Sequence, residues 1–85
     1  MSKQKEQTVD QFWNNQAKNL KGKVIKEAKY MTPKEAEEFG WYSRPVVIHF
    51  TDGTYIIPMK DDEGNDAGAL FGLDNDNNNL TFPVL

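Results

Sequence analysis

The stretch "VVIHFTDGTYIIPM", Val46 to Met59, sets Asp52-Gly53 between two runs of β-branched and aromatic residues. A two-residue type I′ turn needs positive φ at both central positions, and Asp-Gly is a pair that tolerates this, so the stretch predicts a β-hairpin. Alternation puts Val46, Ile48 and Phe50 on one face of the incoming strand and sets Tyr55 and Ile57 against Thr54 and Ile56 on the returning one. Pro58 has no N–H to donate, so the second strand must stop at a sheet edge or a bulge. With 85 residues in all, there is room around this hairpin for one small domain.

Upstream, "MTPKEAEEFGW" carries the signals of a short helix: Thr32 as N-cap, Pro33 at the first helical position, Glu35 completing a capping box, and Gly40 as the stop. Such a helix would bury Ala36 and Phe39 and leave Glu35, Glu37 and Glu38 in water. "KVIKEAKYM" reads as a strand with Val24, Ala28 and Tyr30 on one side and Ile25 on the other. The first segment, "TVDQFWNNQAKNL", predicts an amphipathic helix from Val9 to Asn19, capped by Thr8 or Asp10. Phe12, Trp13, Gln16, Ala17 and Leu20 share one face of it. Its asparagines weaken it, so it should need something to dock against. Short strands are expected at "ALFGL" and at "LTFPVL".

These elements predict an α+β domain with a small, curled antiparallel sheet, an SH3-like half-barrel, flanked by the capped helix and the N-terminal one. A flat sheet with both helices on one face is the alternative. Residues 1–20 form the helical segment and residues 21–85 the single β-rich domain.

The net charge of −3 conceals an asymmetry, since residues 1–34 sum to +5 and residues 35–85 to −8. Cysteine is absent, which excludes disulfides and thiolate metal sites and fits a reducing compartment. The first residues lack an apolar signal core and no run reaches the length of a membrane span, so a soluble, cytoplasmic protein is expected.

From Tyr30 to Phe71 the layout resembles a small family of uncharacterised bacterial and marine-phage proteins. The motifs are Gly40-Trp41-Tyr42 with Arg44-Pro45, the Asp52-Gly53-Thr54 hairpin, Asp61 to Asp66, and Gly68 to Phe71. The resemblance covers about half the chain, and the N-terminal helix here is longer and richer in aromatics than the family pattern. No activity is assigned to that family, so it implies shared single-domain architecture and no catalytic residue.

Four chemistries compete for the remaining features. The acidic loop offers Asp61, Asp62 and Asp66 as oxygen ligands for calcium, although its spacing is not that of an EF-hand. Asp74, Asp76 and Asn78 do alternate, but the twelfth position is Leu85. The same acids can instead cap their own loop and receive Arg44, whose stem would lie on an aromatic ring. Catalysis lacks parts: His49 reads as a solvated strand residue, Ser2 and Ser43 are the only serines, and no triad or phosphate loop can be assembled. Lys21, Lys23, Lys26 and Lys29 with Tyr30 make a strip suited to single-stranded nucleic acid, opposed by an isoelectric point near 5.0. Ranked first is a non-enzymatic protein-interaction module without cofactor. It would bind a protein partner through Phe12, Trp13, Trp41, Tyr42 and Arg44, or a second copy by strand addition at a sheet edge ending in "LTFPVL". Plain core packing is the competing reading, favoured for Trp41 and evenly matched for Tyr42.

Overall fold

The computed structural model describes residues 2–85, with side chains from Thr8 onward. In chain order the elements are α1 (Ser2–Ala17), a 3-10 turn (Lys18–Leu20), β1 (Ile25–Tyr30), α2 (Pro33–Phe39), β2 (Val46–Phe50), β3 (Tyr55–Ile56), β4 (Leu70–Leu73) and β5 (Asn79–Phe82). They form two antiparallel sheets, β1-β2-β3 and β4-β5, that are not closed into a barrel.

Central strand β2 is buried on both faces. Val46 and Phe50 are buried on one side, and Val47 on the other lies in the main cluster with Met31, Ala36, Trp41 and Ala67. The alternation of Val46, Ile48 and Phe50 therefore marks only one of two apolar faces. Val47 escapes a period-2 reading because a doubly covered strand is a continuous apolar run. The neighbouring Pro45 is the most completely buried large side chain.

Strand β1 pairs with β2 at Glu27 opposite His49, Ala28 opposite Ile48, and Tyr30 opposite Val46. A bulge between Ile25 and Glu27 then shifts the register by one, so that Ile25 faces Phe50. Ile25 thus joins the Ala28 and Tyr30 side of the sheet, contrary to the alternation expected from the sequence, because an inserted residue reverses the parity of everything beyond it.

The β2-β3 connection is a hairpin with a different turn from the one expected. Phe50 N donates to Thr54 O at 2.8 Å and Gly53 N to Phe50 O at 3.2 Å, leaving Thr51, Asp52 and Gly53 as a three-residue loop. Only Gly53, at φ 89°, is left-handed, whereas a type I′ turn would place Asp52 there as well. The β4-β5 hairpin repeats the design: Asp74 N donates to Asn78 O at 3.0 Å, Asn77 N to Asp74 O at 3.1 Å, and Asn77 has φ 64°. "DNDNNN" is thus the turn of a hairpin, with asparagine in the position where glycine serves in the first.

Helix α2 follows its signals closely. Thr32 Oγ1 accepts from Glu35 N at 3.2 Å, Glu35 Oε1 accepts from Thr32 N at 2.9 Å, and Gly40 closes the helix at φ 75°. Ala36 is buried as expected, but Phe39 is half exposed and stacks on Trp41 with centroids 4.8 Å apart. Helix α1 begins at Ser2 rather than Val9, so Thr8 and Asp10 lie inside it instead of capping it. Neither Pro nor Gly interrupts Ser2 to Ala17, and nothing local stops the helix sooner.

Between the sheets, the chain from Pro58 to Gly68 folds back on itself. Met59 bridges Ala67, Lys60 N donates to Asp66 O at 2.9 Å, and Gly68 N donates to Pro58 O at 3.0 Å. At the far end Arg44 and Leu85 exchange two backbone hydrogen bonds of 2.9 Å, which ties "LTFPVL" back to the start of β2.

The crossing at Gly68 is tight enough to test. A Cβ there would lie 2.6 Å from Met59 O, a backbone atom that cannot swing aside, whereas one at Gly72 meets nothing within 4 Å. Gly68→Ala is expected to destabilise the protein by about 2–3 kcal/mol, in the range of overpacking, and Gly72→Ala by less than about 1 kcal/mol. Urea denaturation of the two variants checks this, and equal midpoints would contradict the geometry.

Candidate functional site

Trp41, a candidate for the binding surface with core packing as its favoured alternative, lies in the core at 7% exposure. Its indole Nε1 donates to Gly64 O at 2.8 Å, across from α2 to the acidic loop. Asp66 holds the other side of that junction, its Oδ1 accepting from Ala67 N at 2.8 Å and from Ser43 N at 3.3 Å. The segments around Gly40-Trp41-Tyr42 and Asp61 to Asp66 are therefore one structural unit, although about twenty residues apart in the chain.

The acidic side chains do not gather into a cation site. Asp61 Oδ1 accepts from Glu63 N and Asn65 N at 3.1 and 3.2 Å, and its Oδ2 from Asn65 Nδ2 at 2.8 Å. Asp62 is exposed, and Asp66 faces Ser43 and Ala67. Among the described residues no group of three or more His, Asp or Glu is placed to hold a metal ion. Arg44 pairs with none of these acids either: its Nη1 donates to Met31 O at 3.3 Å. Asp61 and Asp66 already accept from neighbouring N–H groups, which holds their oxygens in place without the guanidinium.

The lysine strip is also divided. Lys23 is bonded to Asp52 and Thr54 and sits 5.4 Å above the Phe50 ring, while Lys29 pairs with Glu27 at 3.3 Å. Pleating puts Lys29 and Tyr30 on opposite faces of β1, so the pair cannot form one stacking platform. Ser2 lies outside the residues whose side chains are described.

Exposed apolar side chains also lie on the sheets, at Ile25, Phe71, Leu73 and Leu80, but two other surfaces have a more defined shape. Helix α1 packs against the adjoining 3-10 turn alone among its stronger contacts, and Phe12 and Trp13 are 60% and 61% exposed. Their rings meet edge to face at 4.9 Å, and Val9 and Leu20 are exposed on the same helix and its extension. The radius of gyration, 15.6 Å, exceeds the roughly 12 Å of a compact chain of this length, as a projecting helix requires. Tyr42 is 96% exposed, but it lies on the α2-β2 connection, not on α1.

The second surface is a cleft of about 200 Å³ between α2 and the β1-β2-β3 sheet. Met31, Val47 and Ile57 supply its apolar depth, and the half-exposed rings of Phe39 and Tyr55 stand at its mouth. Lys29, Tyr30, Glu35 and His49 complete the lining. His49 is half buried there with its ring 6.0 Å from that of Tyr55, so it is not the freely solvated residue expected. Sequence reasoning missed this cleft, although one signal was present: Glu35 and Phe39 stand four residues apart and so share a face of α2.

No protein-family model, no curated protein and no solved structure matches the chain. Among the described residues no helix is long and apolar enough to cross a membrane.

Four of the carboxylates share a pH response. Glu35, Asp52, Asp61 and Asp74 are all held below the ordinary carboxylate range, Glu35 chiefly by the Thr32 N–H and Asp52 chiefly by Lys23. For Asp61 the main cause is Asn65, and for Asp74 it is the N–H of Asn78. A carboxylate depressed in the folded state binds fewer protons there than when unfolded, so its contribution is complete above the unfolded value and lost as pH falls through the folded one. Thermal melts should therefore hold steady from about pH 7 to 5 and fall below about pH 4. Asp52→Asn should make that acid limb shallower, and a melting temperature that rose on acidification would contradict the assignment.

Proposed function

We propose that this protein is a non-enzymatic interaction module that binds a protein partner through the amphipathic face of α1. The observation that carries the reading is the exposed pair Phe12 and Trp13, on a helix with no stronger packing against the sheets. Apolar side chains at positions 9, 12, 13 and 20 follow helical spacing, and an amphipathic helix whose stripe faces water is the form in which many proteins present themselves to a groove. Aromatic residues are favoured as interface anchors because they remove much apolar area from water at small entropic cost. The rest of the chain then serves as the carrier, two antiparallel sheets whose turns are capped by their own aspartates.

Lack of cysteine fits action in the cytoplasm, and the resemblance to a bacterial and phage family suits a role in modulating a host protein. A second copy of the chain is the other partner this surface would accept. The outer edge of β1 is less suited to it, because Lys26, Glu27 and Lys29 blunt strand addition there.

The double variant Phe12→Ala/Trp13→Ala separates binding from folding. Its melting temperature should match the parent's, since the two rings are exposed and a surface change of this kind shifts stability by no more than about 0.5 kcal/mol. Sedimentation velocity then tests self-association, and affinity capture on parent and variant side by side tests for another partner. A capture product or dimer that persists in the variant, or a variant that melts well below the parent, would overturn the role given to α1.

A further inference from the structure

The cleft between α2 and the sheet has a chemistry of its own, separate from α1. Glu35 uses one oxygen, Oε1, to accept from both Thr32 N and Thr32 Oγ1 at 2.9 Å. Its other oxygen accepts from no group among the described residues, and no ion pair forms on it there. Lys29, the one lysine in the lining, pairs with Glu27 at 3.3 Å and acts on Glu35 through space as well. One lysine set against two carboxylates leaves a formal charge of −1 around the cleft.

Around that carboxylate stand aromatic faces, Phe39 and Tyr55 at the mouth, with buried Met31 and Val47 beneath. The side chains of His49 and Tyr55 make no hydrogen bond to the protein among the described residues, so the imidazole nitrogens and the phenol are open to a guest. A space of about 200 Å³ exceeds the roughly 150 Å³ that accommodates one benzene ring, leaving room for a short polar tail. Negative charge beside π faces selects cations, because a ring's quadrupole attracts an ammonium and repels a carboxylate.

We infer that this cleft is a binding site for a small organic cation with a flat apolar body, an arylalkylammonium. Its ammonium would lie on Glu35 and its ring between Phe39 and Tyr55.

Phenethylamine is the probe, titrated into the full chain and followed by amide chemical shifts. Saturable shifts should cluster at Glu35, Phe39, Val47, His49 and Tyr55, with a Kd on the order of 1 mM for so small a ligand. 2-Phenylethanol and 3-phenylpropionate, which keep the ring and change the charge, should each bind at least about tenfold more weakly.

Glu35→Gln removes the charge yet preserves a capping box, since glutamine serves at that position, so the helix survives while phenethylamine affinity falls at least about tenfold. Comparing the three ligands on the unaltered protein does not depend on that variant. Shifts absent, unsaturated or mapped elsewhere would overturn the inference. So would a carboxylate ligand that binds as well as the amine, or a Glu35→Gln protein that binds as well as the parent.

Discussion

The hydrogen bond from the Trp41 indole to the Gly64 carbonyl, 2.8 Å long, is the contact on which the rest of the structure depends. It joins the turn after α2 to the acidic loop after β3, and so encloses Val47 and Ala67 in one cluster with Met31 and Ala36. A buried indole N–H left without an acceptor would cost about 1–3 kcal/mol, so core and loop are obliged to form together. In an 85-residue protein with few fully buried side chains, an obligation of that size is a large part of the total stability.

The loops are organised by the opposite principle, local rather than distant satisfaction. Asp61 and Asp74 each accept from backbone N–H groups two and four residues on, and Asp52 accepts from Thr54 two residues on. Carboxylates used in this way lower the cost of tight turns by supplying acceptors the backbone itself cannot place. Two hairpins of different sequence converge on the same three-residue loop for this reason, with Gly53 and Asn77 in the left-handed position. Clustered acids at a turn look like ligands in a sequence, and the hydrogen bonds show why here they serve the turn instead.

A small core also explains what is left outside it. The sheet and α2 bury one another and β2 is covered on both faces, while Val24, Ile25, Phe71, Leu73 and Leu80 stay exposed on the strands and their flanks, so the packed interior is small. Phe12 and Trp13 pair with each other and face water, and Phe39, stacked on Trp41 and half exposed, stands beside the cleft at Glu35.

By itself the sequence determined the elements whose causes are local. The box at Thr32 and Glu35, the stop at Gly40, the strand break at Pro58 and the existence of both short C-terminal strands depend on residues only a few positions apart, and the structure has each of them. Tertiary structure alone decided what depends on residues distant in the chain. The bulge that reverses Ile25, the burial of Val47, the bond from the Trp41 indole to Gly64, the pairing of Arg44 with Leu85, and the cleft assembled from α2 and three strands all belong to that second group. The physical reason is that capping and turn energies are set by the backbone within a few residues, whereas parity, burial and concavity are set by whichever surface the packed chain brings opposite.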